Sequence, residues 1–379
     1  MNSKKLCAAV LSGMLLGMGG SFLPAASIPV LAPVVEAAQA QAMQVTVDPS
    51  GQTKHAYKTL TAALKDKKVQ KAESVTINLQ PGTYREKVVF DQPNITLVGQ
   101  DAATTTIVWD DAEGAPLRPG DTNGSKTTYT MECATVKVTE NARNFQAVNI
   151  TFANDFPTEE KRADKSMKSV QAFAMTDEAD HSSFYNCRFL GRQDTLYANA
   201  GAQYYKDCYI EGDVDFIFGQ ATAVFDTCEI HAKNRAVKQD GKSHGAGYLT
   251  APSTLASDKG YLFYKCHVTS DIQDPHYGML GRPWHPSSEQ REVNSAATFR
   301  ECVLDIKIKA KGWDSMKNKF GVYQPEDNRL YEYKNTGKGA VTDEMQAKEN
   351  FNRKQLTDAE AVNYTPEAFL GTWKPLKRI

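Results

Sequence analysis

Five short segments of the 379-residue chain repeat one pattern. FYNCRFLG, YYKDCYIEG, VFDTCEIHA, LFYKCHVTS and TFRECVLDI each carry an aromatic residue, then Cys, then an apolar residue two positions on. Cys187, Cys208, Cys228, Cys266 and Cys302 mark the shared position, at separations of 21, 20, 38 and 36 residues. An earlier segment, NFQAVNITF, fits with Asn149 in that position, 38 residues before Cys187. A period of roughly twenty residues, with longer gaps that hold an extra loop or an extra turn, signals a stacked repeat.

The segments are β-branched and aromatic and are bounded by Gly, Asn and Asp, which reads as short strands joined by turns. No helix-length amphipathic pattern lies between them, so βαβ winding is excluded. Short strands stacked in register give an all-β solenoid, a parallel β-helix in which each coil adds one rung. Small apolar Cys suits an inward ladder. A β-sandwich with coincidental likeness between strands is the alternative. Upstream, QVTVDPSG, VTINLQPGTYREKVVF, NITLVGQD and TTIVWD read as further coils. AYKTLTAALKDKKVQKA is helical in pattern and placed to cap the open N-terminal end. Residues 357–372 are read as a short helical or irregular closing segment, and 111–127 and 234–260 as projecting loops.

The formal charge is −1, from 44 Lys+Arg and 45 Asp+Glu, which leaves no electrostatic footprint for nucleic acid. Residues 1–40 stand apart from the fold. Lys4 and Lys5 precede an uncharged run, Leu6 to Leu23, and Ala38-Gln39-Ala40 offers a cleavage site. These are the features of a signal peptide, with an uncleaved anchor as the alternative. The expectation is a secreted protein, extracellular or periplasmic, with 41–379 as one β-helix domain and no membrane association after cleavage. Six cysteines remain in that mature chain without any C-x-x-C pair, too few for a disulfide scaffold.

Two further segments align on the same period. Gly191-Arg192-Gln193-Asp194 and Gly212-Asp213-Val214-Asp215 place both Gly and Asp 21 residues apart. Rungs stack about 4.8 Å apart, so Asp194 and Asp215 are expected as neighbours on one face. Gln171 lies 22 residues before Gln193, one coil earlier. Two carboxylates so close titrate apart, one neutral and one anionic, which is what an acid and a nucleophile need. Carboxamide N–H groups beside them suit an oxyanion. The competing reading is a structural ladder of polar residues. Four in register beside Tyr197, Phe216 and Phe218 favour a site.

At these residues the sequence resembles the pectin methylesterases, carbohydrate esterase family 8, of bacterial type. The resemblance covers roughly residues 45–340 and rests on GTYRE (82–86), QAFA (171–174), GRQDTLY (191–197), DFIFG (215–219) and LGRPW (280–284). It implies a right-handed single-stranded parallel β-helix and hydrolysis of galacturonate methyl esters in pectin. It implies Asp215 as nucleophile, Asp194 as acid and then base, Gln171 and Gln193 as oxyanion donors, and Arg282 as the partner of Asp215. A guanidinium there would hold the nucleophile ionised and oriented.

Trp284 and Trp313 match aromatics that stack on sugar rings, with core packing an equal reading for Trp313. Tyr197, Phe218 and Thr250 are also expected to contact substrate. Cys208 and Cys228 resemble a disulfide pair of bacterial members, with two stacked free thiols as the alternative. The acidic stretch after QAFAM departs from the family, and Asp177 and Glu178 are expected to line the groove. The partner is methyl-esterified pectin, bound by a monomer, with no cofactor and no metal. A lyase or glycosidase on the same scaffold, an esterase for another ester, and a non-enzymatic polysaccharide-binding β-helix are the rivals.

Overall fold

The computed structural model describes residues 42–375 and 377, apart from 119–124, 165, 166, 168, 236–246, 273–275 and 349–350. The export signal expected at residues 1–40 therefore lies outside the described residues.

Three parallel sheets of ten, eight and seven strands are built from residues 42–333. Each coil contributes one strand to each sheet in turn. Ser182–Tyr185 joins the ten-stranded sheet, Arg188–Leu190 the eight-stranded one and Leu196–Ala198 the seven-stranded one. The next coil repeats this with Ala202–Lys206, Tyr209–Gly212 and Ile217–Gly219. The fold is the single-stranded parallel β-helix read from the sequence.

What makes the chain turn is visible at the residue before each Cys. Asn186, Asp207, Thr227, Lys265 and Glu301 all have φ between 50° and 54°. One left-handed residue bends the path from the first sheet to the second, a conformation that costs non-glycine residues about 1 kcal/mol or more. The Cys that follows then points inward. Three residues before it stands the aromatic of the repeat. Phe184, Tyr205, Phe225, Phe263 and Phe299 stack along the core, with successive ring centroids 4.8, 4.7, 4.8 and 4.3 Å apart. Burying each such ring contributes roughly 2–3 kcal/mol, and the regular spacing locks register between coils.

The earlier segment differs by one residue from its expected alignment. Tyr185 pairs with Val148, so Asn149 lies opposite Asn186, and Ile150 takes the Cys position. Asn186 Nδ2 donates to Asn149 Oδ1 at 2.8 Å. Asn149 is thus a turn residue, φ 58°, and not an inward one.

The N-terminal helical pattern forms two short helices, Leu60–Lys65 and Lys67–Lys71. Asp66 ends the first in an extended conformation, and its side chain caps the second by accepting from Lys68 N–H. Leu60, Ala63 and Val69 join the main core beneath the first coil. At the other end, Pro366–Leu370 lays Phe369 and Leu370 on Val224 and Leu262, on the outer face of the ten-stranded sheet. The stretch expected as a loop at 234–260 instead includes a strand, Tyr248–Pro252, paired with Ile217–Gly219. Among the described residues no helix is long and apolar enough to cross a membrane.

Candidate active site

The turn from the second sheet to the third is where the coils carry Gly191–Asp194 and Gly212–Asp215. A Cβ on Gly191 would lie 2.6 Å from Thr195 Oγ1, and one on Gly212 would lie 2.2 Å from Phe216 Cβ. Glycine lets the chain fold back sharply here, and the aspartates follow at φ 63° and 49°. Ladder bonds continue through the turn. Asp194 N–H donates to Val214 O at 3.1 Å, and Asp215 N–H donates to Tyr248 O at 2.8 Å. Three successive coils therefore fix the two carboxylates, 4% and 6% exposed, at neighbouring rungs. Left-handed backbone at these two aspartates is strain held in place by the surrounding ladder.

Each aspartate has a different partner. Arg282 Nε donates to Asp215 Oδ1 at 2.9 Å, and its Nη2 donates to Oδ2 at 2.5 Å. Arg282 is itself braced: its guanidinium carbon lies 4.2 Å from the centre of the Tyr248 ring, and Tyr248 Oη donates to Asp314 Oδ2 at 2.9 Å. Among the described residues Asp194 forms no ion pair. Gln171 Nε2 donates to its Oδ2 at 2.7 Å. Behind Gln171, Ser169 Oγ lies 2.8 Å from Gln171 Oε1 and 2.6 Å from Glu113 Oε2. Gln193 Oε1 accepts from Arg162 Nη2 at 3.1 Å.

These surroundings separate the two acids. Burial pushes the Asp194 carboxyl well above the ordinary carboxylate range, and the neighbouring Asp215 charge pushes it further, against the Gln171 bond. Burial also raises Asp215, but the Arg282 bonds and charge pull it back. The surroundings thus favour the neutral form at Asp194, while the Arg282 clamp favours the anionic form at Asp215. Among the described residues no group of three His, Cys, Asp or Glu converges as a metal would need. A carboxyl whose neutral form is favoured, a carboxylate oriented by a guanidinium and two carboxamides are groups that suit acyl transfer.

The pectinesterase family model matches residues 44–372. The chain belongs to the pectinesterase family. It is 32% identical over 372 residues to Pectinesterase A of Dickeya chrysanthemi, covering 93% of this chain and 97% of that one. It is 35% identical over 301 residues to Pectinesterase 31 of Arabidopsis thaliana, covering 78% and 82%. The fold superposes on pectin methylesterase PemA from Erwinia chrysanthemi with a TM-score of 0.75, at 30% identity and with 88% and 98% of the two chains covered. A pectin methylesterase in complex with a hexasaccharide superposes at 0.76, at 30% identity and the same coverage. As a pectinesterase the protein is a carboxylic ester hydrolase.

Other expected site residues divide. Trp284 is half-buried at the edge of an aromatic patch outside the seven-stranded sheet. Tyr197 and Phe218 lie under it, at 6.3 and 5.7 Å, and stack on each other at 4.5 Å. Both are buried, so they form the floor of the patch and not open contact surface. Phe173 completes that floor, 5.1 Å from Phe218. Phe216 points the other way, into the main core.

Thr250 and Trp313 are not brought to the surface. Thr250 is fully buried, and its Oγ1 donates to Ile217 O at 2.7 Å. Trp313 is 2% exposed and packs 5.9 Å from Phe299 in the core. Asp177 does not line the groove either: it is fully buried and accepts from Ala179 N–H and Ser182 Oγ, both at 3.1 Å. Glu178 is half-buried and paired with Lys137 at 3.0 Å.

The Cys208–Cys228 bond is absent, and both are free buried thiols. Each sulfur faces a carbonyl of the preceding coil, Cys208 Sγ to Phe184 O at 3.5 Å and Cys228 Sγ to Tyr205 O at 3.4 Å. Parallel stacking directs the two side chains the same way, whereas a disulfide needs them turned toward each other.

Ser169, Glu113, Tyr248, Asp314 and Arg162 were not singled out from the sequence. Only Asp213 carried a positional signal, since it stands in the turn repeat opposite Arg192.

Proposed function

We propose that the protein hydrolyses methyl esters of galacturonate in pectin, with Asp215 as nucleophile, Asp194 as acid and base, and Gln171 and Gln193 as oxyanion donors. One observation carries this reading: Arg282 holds both oxygens of Asp215, whereas Asp194, one rung away, has among the described residues only a carboxamide, on Oδ2.

Asp215 attacks the ester carbonyl carbon, and the carbonyl oxygen takes up negative charge. A carboxamide nitrogen has two N–H groups. Gln171 uses one on Asp194, which leaves a second for the oxyanion. The Gln171 bond to Oδ2 leaves the Asp194 proton to Oδ1. As the carbon–methoxy bond breaks, that proton moves to the methoxy oxygen and methanol departs. The sugar is then joined to Asp215 as an anhydride. Asp194, now anionic, takes a proton from water as the water oxygen attacks the galacturonoyl carbonyl. The bond to Asp215 breaks, the polymer leaves with a free carboxyl, and both aspartates regain their starting states.

Trp284 offers a ring face for a sugar, supported from below by Tyr197 and Phe218. A hexasaccharide bound by a related pectin methylesterase supports a polysaccharide ligand here. The basic, apolar and A-x-A features of residues 1–40 support export, and the protein is expected to act as a monomer.

The test is product analysis with residues 41–379 and highly methylated pectin. Methanol without new reducing ends or unsaturated ends is expected. Chain cleavage in place of methanol would overturn the reading in favour of a glycosidase or lyase.

A further inference from the structure

A buried ion pair stands directly behind Gln193. Arg162 lies on the short helix Thr158–Asp164, which leaves the coil path after the strand Thr151–Asn154. Both of its terminal nitrogens reach the fully buried carboxylate of Asp213, Nη2 to Oδ1 at 3.0 Å. Nη1 also donates to Glu159 Oε1 at 3.0 Å, and Nη2 also donates to Gln193 Oε1 at 3.1 Å. Asp213 is held in turn by its own N–H, which donates to Arg192 O at 2.9 Å.

This contact has a consequence for the carboxamide. One end of Gln193 accepts and the other donates, whereas a guanidinium only donates. Arg162 therefore decides which end faces it and sends the NH₂ group to the other branch. We propose that Arg162, anchored by Asp213, is a positioning residue that locks Gln193 in the orientation presenting its NH₂ to the reacting carbonyl. The proposal rests on the reading of Gln193 as an oxyanion donor. Arg162 does not touch substrate. It acts by removing the alternative state in which the Gln193 oxygen would meet a developing oxyanion and repel it.

A double-mutant cycle tests this. Arg162→Met alone would take both guanidinium hydrogen bonds from a buried carboxylate and leave it only the longer pair with Arg192 Nη1 at 3.9 Å, so the probe is Arg162→Met combined with Asp213→Asn. kcat and KM for methanol release are measured for the wild type, Gln193→Ala, the paired variant and their combination, with thermal melting as the folding control. Gln193→Ala is expected to lower kcat by about 10²-fold, the scale of one oxyanion donor. The paired variant is expected to lower kcat about tenfold at nearly unchanged KM, since misplacing a group has effects of this order. In the Gln193→Ala background the same pair should lower kcat less than about twofold. Equal losses in both backgrounds, or no loss in the wild-type background, would overturn the proposal. Full kcat in Gln193→Ala would instead sink the oxyanion reading, and this inference with it. If the paired variant does not fold, Arg162→Lys enters the same cycle under the same criterion.

Discussion

Arg282 grips Asp215 through two nearly parallel hydrogen bonds, from Nε at 2.9 Å and Nη2 at 2.5 Å, although the two residues are 67 positions apart. The clamp acts on orientation and on charge together. A bidentate guanidinium fixes the plane of the carboxylate and favours its ionised form in a buried setting.

Removing the clamp therefore has a signed pH effect. Without the Arg282 bonds and charge, burial and the Asp213 charge are opposed by the Arg235 charge, a smaller influence than Arg282, and the Asp215 pKa rises further. Attack requires the carboxylate, so the acid limb of kcat/KM in Arg282→Gln should move to higher pH. The maximal rate should fall by about 10²-fold or more, in line with losing preorganised electrostatics. A pH–rate profile checks this, and an unmoved acid limb would contradict it.

The two tryptophans should separate cleanly. Trp284→Ala should raise KM for pectin with little change in melting temperature, because the ring stands at the patch edge over Tyr197 and Phe218. Trp313→Ala should lower stability by about 3–5 kcal/mol, as a large core truncation does, and leave KM alone in the folded fraction. Denaturant melts and initial rates on both variants distinguish these outcomes.

Asp177 makes the fold lose stability as pH rises from the acid range to about 8. Burial pushes its carboxyl up to about 8, against bonds from Ala179 and Ser182. In the unfolded chain it titrates near 3.9. As pH rises between those values the unfolded state loses this proton and the folded state keeps it, so stability falls. The contribution is fully present below the unfolded value and is lost as pH passes the folded one. Asp177→Asn removes the titration. Its melting temperature should gain on the wild type as pH rises from about 5 to about 8. A difference independent of pH would count against this account.

The six described cysteines are all free and buried. Protein comprising residues 41–379 should therefore show no thiol reactivity while folded, and six thiols after denaturation without reductant. Two fewer would mean that Cys208 and Cys228 are bonded after all.

How much of this was legible depends on what the period could reach. Asp194 and Asp215 share an offset from Gly in adjacent coils, so spacing alone brought them together, and Gln171 followed by one more period. The core aromatics were equally plain, because Phe184, Tyr205, Phe225, Phe263 and Phe299 each stand three residues before a Cys. The slip at Asn149 arose because turn and inward positions are adjacent, and Asn suits the left-handed turn. Thr250 was misplaced because the long segment before it hides which strand residues face inward. Arg282 came from the LGRPW motif alone, since no spacing rule connects a residue two coils on with Asp215. Arg162 lies on an excursion from the coil path, where the repeat gives no address.

The central claim is that Asp215 forms the bond to the substrate carbonyl. Methanol release from highly methylated pectin by Asp215→Asn tests it most directly, with melting temperature and pectin binding as controls. Asparagine is nearly the same size and keeps the turn, but it is no nucleophile. The account predicts a folded protein that binds pectin and has lost about 10³-fold or more in kcat, the scale of removing a catalytic group. A folded Asp215→Asn enzyme releasing methanol near the wild-type rate would contradict it.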